Sequence, residues 1–278
     1  MDPIRVMKET NVAARNGIST LSTLELWRFQ ELFYFFVWRD MKARYKRSFI
    51  GILWVVVKPL FAAVVLSVVY HSLGGRSIEG IPYILPVFLG LLFWNMFSTG
   101  VQGGVDSLSG EEALMMKIYF PRVIIPLALL TSTILDFLCG YIVFVLLLSF
   151  YHIPFNFIDN IGVLFVMVPF FLLTSGISLL LSLVNTRIRD VSRITPFLLQ
   201  LLFFATPVAY TADLLRIPHF ASFNPLGILI EHARGGVLYG VPFFSSLFFI
   251  VSGVSLVFFL LGMLAYCHYD KRITDMLS

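Results

Sequence analysis

The chain has 278 residues, of which 58% are hydrophobic and 13% charged, with a mean hydropathy of +0.88. A soluble domain carries about 25% charged residues, so the composition excludes a soluble enzyme and defines a polytopic membrane protein. The net charge of +4 is distributed as a membrane protein distributes it, and nucleic acid is not an expected partner.

Residues 1–21 are polar and mixed, and read as a cytoplasmic tail without a removable signal peptide. Ser22 and Glu25 resemble a capping box opening a helix. Residues 22–48 interleave aromatics with Arg28, Glu31, Arg39, Lys42, Arg44, Lys46 and Arg47. That pattern predicts an amphipathic helix in the membrane interface, aromatics toward acyl chains and cations toward head groups. The plainer alternative is a lead-in to the first span. The basic stretch Arg39–Arg47 then turns directly into an apolar run that carries Lys58 and Pro59. Such a junction marks the cytoplasmic membrane surface. Lys58 either snorkels to head groups or faces a substrate.

Residues 49–278 form the transmembrane domain, with spans expected at about 49–71, 83–102, 123–150, 158–184, 194–210 and 243–267, the fifth of them short and broken by Pro207. Between spans 2 and 3 lies a polar insertion, 103–122, with Glu111, Glu112, Lys117 and Arg122 around an apolar centre at Leu114, Met115 and Met116. Methionines adapt to a partner surface, so this insertion is the candidate docking point for another chain. Residues 211–242 alternate apolar runs with Pro218, Pro225, Glu231, His232 and Arg234, which predicts short half-inserted helices shielded by their neighbours. With both termini cytoplasmic, 17 Lys and Arg fall on the inner side and 3 on the outer. The positive-inside rule therefore favours six spans.

Chemistry has few places to sit. Asp136 is the one carboxylate deep in an expected span, and it is either functional or a packed interior residue. The five histidines form no metal-binding spacing, and no G-x-x-x-x-G-K-[ST] loop occurs, so ATP and Mg would be bound by a partner chain and no cofactor by this one. Cys139 and Cys267 lie in apolar stretches and suggest no disulfide framework. Aromatics make up 16% of the chain, with 29 Phe; Phe197 and Phe204, and Phe203 and Tyr210, are each seven apart, with Gln200 one turn before Phe204. Such faces suit a sliding glycan, although any single Phe is as readily explained by packing.

Three blocks together, RDMKARYKRSFIGILWVVVKP, KIYFPRVIIP and NTRIRDVSRITPFLLQLLFFATPVAY with NPLGILIEHARGGVLYG, resemble the permease subunit of ABC type-2 polysaccharide exporters, which move lipid-linked O-antigen, capsule or teichoic acid chains. The resemblance covers about residues 25–272. It implies an all-α membrane fold of six transmembrane helices with an N-terminal amphipathic interface helix, a cytoplasmic coupling helix and half-inserted outer helices between spans 5 and 6. It further implies a homodimer in the bacterial inner membrane with two ATP-binding subunits beneath, and a lipid-linked polysaccharide as cargo. By this resemblance Glu111, Glu112, Leu114, Met115, Lys117 and Arg122 meet the ATPase. Phe61, Tyr70, Phe197, Gln200, Phe203, Phe204 and Tyr210 become channel-lining candidates, and Asn224, Pro225, Glu231 and Arg234 an outer gate. Arg39, Lys42, Arg44, Lys46, Arg47 and Lys58 would recruit the anionic lipid head, a role that attraction to bulk anionic lipid also explains. The alternatives are a permease for small molecules or drugs, or an integral membrane enzyme acting on lipid-linked sugars.

Overall fold

The computed structural model describes residues 29–45, 51–74, 80–115, 117, 120–210 and 224–269. The expected tail at 1–21, the capping box, Lys46 and Arg47 lie outside the described residues, as does the side chain of Glu112. In chain order the helices are α1 (Gln30–Tyr45), α2 (Trp54–Ser72, preceded by a 3₁₀ turn at Gly51–Leu53), α3 (Ile84–Gly110), α4 (Glu112–Met115), α5 (Ile124–Phe150), α6 (Phe157–Arg187), α7 (Asp190–Ala205), α8 (Pro225–Tyr239) and α9 (Ser246–Tyr269).

Among the described residues, five helices are long and apolar enough to cross a membrane: Gly51–Ser72, α3, α5, α6 and α9. The fifth expected span is, as expected, short and broken at Pro207, and its helix alone does not meet the length criterion. Helix α7 has 16 residues, about 24 Å at 1.5 Å per residue, short of a hydrocarbon core of ~30 Å. It stops at Ala205, Thr206 is extended, and Pro207 has no N–H with which to continue a helix. Helix α3 is longer than expected. It runs eight residues past the expected end of span 2, so the interhelical insertion starts at Glu111 rather than at residue 103. The extra turns persist because their polar side chains find partners within the helix and on α7: Gln102 donates to Asp106 at 2.8 Å, and Ser192 at the start of α7 donates to the other Asp106 oxygen.

Helix α3 is the axis of the bundle. Leu85 through Phe97 pack against Phe137, Tyr141 and Phe144 of α5, Phe170 of α6 and Leu229, Ile230 and Ala233 of α8. Phe93 meets Phe137 and Phe170 at 4.7 and 4.9 Å between ring centroids. Helices α6 and α9 come together through small residues: a Cβ on Gly176 would fall 2.5 Å from the Phe258 carbonyl oxygen. Between transmembrane helices such close backbone approach supplies the dispersion contact that a hydrophobic effect cannot.

A second, smaller core closes the end of the bundle that carries most of the described basic residues. It joins Phe36 and Val37 of α1 to Met115, Phe120, Ile124 and Tyr266. Helix α1 therefore does not simply float its aromatic side in lipid as expected. Phe36 and Val37 are buried against the protein, while Tyr34, Phe35 and Trp38 stay exposed. Its cations Arg39 and Arg44 turn inward to carboxylates.

Helix α8 is the described part of the expected half-inserted region. Asn224 accepts from the N–H groups of Leu226 and Gly227, Pro225 occupies the first turn, and Gly240 closes the helix at φ 65°. These are the residue types that start and stop a helix at low cost.

Candidate functional site

The site is built on α5, where Ser132 and Asp136 are one turn apart and share a face. Asp136 lies twelve residues into the helix, about 18 Å from its first residue, so its charge sits near the middle of a long apolar helix. It is not isolated. Arg44 donates from Nη1 to Asp136 Oδ2 at 2.8 Å and from Nη2 to Ser132 Oγ, and the Tyr45 hydroxyl donates to Asp136 Oδ1. Burial, reinforced by the Asp136 carboxylate, pushes the Tyr45 phenol well above its ordinary value, so it remains a protonated donor. The last turn of α1 thus reaches into the bundle and is clamped to α5.

Beside this cluster lies a cavity of about 500 Å³. Arg44, Tyr45, Asp136 and Thr133 form one wall, Trp54, Lys58 and Pro59 of α2 another, and Leu92, Asn95, Met96 and Thr99 of α3 the third. A second cavity of about 380 Å³ runs from there to the basic end between Arg39, Asp40, Gly103, Asp106 and Glu111. Arg44 and Thr99 line both. On α3 the positions 95, 99, 103, 106 and 110 recur at three- or four-residue steps and follow the two cavities along one helix face. Lys58 makes no hydrogen bond or ion pair among the described residues and lines the first cavity. It is exposed, at the edge of that cavity.

The remaining predicted residues fall into distinct places. At the basic end Arg39 bridges Asp40 at 2.9 Å and Glu111 at 2.7 Å, joining the predicted lipid-recruiting and ATPase-coupling sets. Burial works against the Arg39 charge, but these two carboxylates outweigh it and raise its pKa. Lys42 is exposed. Met115 is buried in the small core, Leu114 and Arg122 are half-buried, and Lys117 is exposed.

Of the channel-lining candidates, Phe61, Phe197 and Phe204 are 60–69% exposed, and Gln200 is exposed beside the latter two. Tyr70, Phe203 and Tyr210 are half-buried. Tyr70 stacks on Tyr83 at 3.8 Å, Phe203 packs edge-on against Trp94 at 5.4 Å, and Tyr210 donates to the Phe204 carbonyl at 3.0 Å. Phe197 and Phe204 of α7 thus turn outward, whereas Phe203 of α7 and Tyr210 beyond its end are half-buried.

The predicted outer gate is a tightly bonded joint. Asn224 donates to Thr206 Oγ1 at 2.8 Å besides capping α8. Arg234 is fully buried. Its guanidinium donates to the carbonyls of Pro86, Pro207, Val208 and Tyr210 at 2.6–3.2 Å and to Glu231 at 2.7 Å.

Sequence reasoning missed Tyr45, Asn95, Thr99, Ser132 and Thr133 as a set. The signal was there as polar residues at helical spacing within two apolar runs, Asn95–Thr99 and Ser132–Asp136, which only need to face each other.

A bundle of long apolar helices organised around one buried helix, with a polar inlet at one end and no described soluble domain, is the architecture of a membrane transport subunit. The description of the ABC-2 type transporter family matches residues 31–238, and the chain belongs to that family. Among its curated relatives, an O-antigen export system permease protein RfbA of Myxococcus xanthus is 33% identical over 189 residues, covering 67% of this chain and 70% of the relative. Two proteins of the same name from Klebsiella pneumoniae are 26% and 28% identical, covering 78% and 73% of this chain and 87% and 78% of theirs.

Proposed function

We propose that this chain is the membrane permease subunit of an ABC exporter that carries a lipid-linked, O-antigen-type polysaccharide across the bacterial inner membrane. The observation that carries the reading is kinship with O-antigen export permeases over two thirds or more of the chain. The chain does no covalent chemistry. Two copies act with two ATP-binding subunits, which supply ATP and Mg.

The geometry supports the parts of this reading as follows. Helices α2 and α7 flank α3 and leave their outer faces open, with Phe61 on one and Phe197, Gln200 and Phe204 on the other. A second copy meeting these faces encloses an aromatic seam in which sugar rings slide by stacking. The insertion at Glu111–Arg122, braced on α1 through Arg39, receives the push of the ATPases. The anionic lipid head is drawn by Arg39, Lys42 and Arg44 toward Lys58. Helix α7 completes a sixth crossing through residues 206–210. Exposed irregular backbone is not tolerated in lipid, and here Arg234 and the Tyr83 hydroxyl satisfy four of the segment's carbonyls. Six crossings put both termini in the cytoplasm, on the side of the basic end. The segment 206–210 and Asn224, with α8, then form the outer gate.

Deleting the gene and restoring it on a plasmid tests the function. Surface polysaccharide, read by electrophoresis of extracted lipopolysaccharide, is expected to vanish and return. Unchanged surface polysaccharide in the deletion strain overturns the reading.

A further inference from the structure

The cavity beside Asp136 carries an arrangement that head-group attraction alone does not explain. A site meant only to hold an anion would present unpaired cations. Here one of the two cations, Arg44, is already paired to a carboxylate on α5 at 2.8 Å. The other, Lys58, is unpaired among the described residues. The neutral polar residues Asn95, Thr99 and Thr133 complete the lining, with the Thr133 hydroxyl already donating to the Leu130 carbonyl. The Asn95 amide also has no partner among the described residues. Neither Arg44 nor Asp136 is fully buried, their side chains being 29% and 20% exposed. The Arg44–Asp136 pair stands where the two cavities meet, since Arg44 lines both.

We propose that Asp136 is a resident counter-anion: the phosphate head of a polyprenyl-linked substrate displaces it from Arg44, with Lys58 as the second cation, and Asp136 takes Arg44 back when the lipid leaves. This rests on the export reading above and deepens it. The physical case is one of symmetry between two states. A guanidinium stripped of its partner in a half-buried site is left with an uncompensated charge. A site with Arg44 and Lys58 alone would hold the phosphate tightly and release it slowly. Exchange between two anions keeps Arg44 paired before and after passage, so neither binding nor release leaves it bare. The Tyr45 hydroxyl serves the same exchange. It holds the other Asp136 oxygen, so the displaced carboxylate keeps a donor.

The test uses the purified transporter, permease with its ATP-binding subunit, in nanodiscs of phosphatidylcholine. A long-chain polyprenyl phosphate is titrated, with phosphatidylglycerol and inorganic phosphate as separate arms. Asp136→Asn removes the competing charge and is expected to bind the polyprenyl phosphate about tenfold tighter, while export in cells falls. Asp136→Glu restores the charge and is expected to stay within about threefold of the natural protein. Lys58→Gln, which breaks no bond among the described residues, is expected to loosen binding about tenfold. Phosphatidylglycerol is expected to bind with no response to Asp136→Asn. Inorganic phosphate is expected to bind far more weakly than the lipid.

Equal or weaker binding by a folded Asp136→Asn protein reduces Asp136 to a packing residue and overturns the proposal. If Asp136→Asn does not fold, unchanged binding by Lys58→Gln overturns it instead. Inorganic phosphate binding as tightly as the lipid would assign the site to a free anion. A deletion strain that loses its polysaccharide while these binding results fail leaves the export function standing and removes only this inference.

Discussion

Two arginines enter the bundle from opposite ends, and each meets a carboxylate at nearly the same distance: Arg44 with Asp136 at 2.8 Å, and Arg234 with Glu231 at 2.7 Å. Beyond that they differ. Arg234 is sealed, and its three nitrogens are spent on four backbone carbonyls and one carboxylate. Arg44 has a carboxylate and one hydroxyl, and opens on a cavity of about 500 Å³. A charge inside a membrane protein is thus not one kind of feature. Its acceptor count and its access separate a joint from a binding site. Arg234 ties the start of α3, the break after α7 and α8 into one unit, whereas Arg44 retains donors that another anion can use.

The largest effect is expected at the sealed joint. Arg234→Gln removes the charge and leaves up to four carbonyls and Glu231 short of donors. A loss of about 3–5 kcal/mol is expected, read as loss of folded protein or a large fall in Tm in detergent. Arg234→Lys is expected to recover little, because a single ammonium cannot reach acceptors spread over three segments. A Tm within a few degrees of the natural protein for Arg234→Gln would erase the contrast with Arg44.

Next comes the groove that admits the guanidinium. A Cβ on Gly90 would overlap the Arg234 side chain and lie 2.9 Å from the Val208 carbonyl oxygen. Gly90→Ala is expected to cost about 1–3 kcal/mol through overpacking. Gly110, at the end of the same helix, has open space around its missing Cβ. Gly110→Ala is therefore the matched control and is expected to leave Tm unchanged or slightly raised.

At the open site the expected loss is smaller. Arg44→Gln breaks the pair with Asp136, but water reaches both groups, so stability is expected to fall by only ~1–2 kcal/mol. Binding and export carry the larger effect. A stability loss equal to that of Arg234→Gln would make Arg44 a structural joint as well.

The same contrast explains what the sequence made legible. Span positions follow from apolar runs of about 20 residues, so α2, α5, α6 and α9 are found close to where expected. Hydropathy reads only the run and not the partners. It therefore ends span 2 at residue 102, because it cannot know that the Gln102 amide N–H and the Asp106 carboxylate find partners in each other and in Ser192 on α7. It sees Pro207 break span 5 but not what satisfies the backbone beyond the break, because Arg234 donates to those carbonyls from 24 residues or more away in sequence. Asp136 was visible as an anomaly, but the arginine that answers it is 92 residues distant. In each case a lone polar residue was legible and its partner was not.

The smallest effect expected sharpens the comparison from within the joint. Tyr83 donates from its hydroxyl to the Ala209 carbonyl at 2.8 Å, on the same irregular segment that Arg234 holds. Its ring still stacks on Tyr70 without the hydroxyl, so Tyr83→Phe deletes one hydrogen bond and little else. The cost is expected to be ~0.5–1.5 kcal/mol. The informative quantity is its coupling to Gly90→Ala in a double-mutant cycle of Tm-derived stabilities. If residues 206–210 are held as one unit by Arg234 and Tyr83, loosening the guanidinium first should change the cost of losing the tyrosine hydroxyl by at least ~0.5 kcal/mol. Strict additivity would mean that the two donors hold the segment independently, and the sealed joint would be a set of separate bonds. Pairing Tyr83→Phe with Arg44→Gln should give additivity, since the two lie in different polar clusters of the bundle.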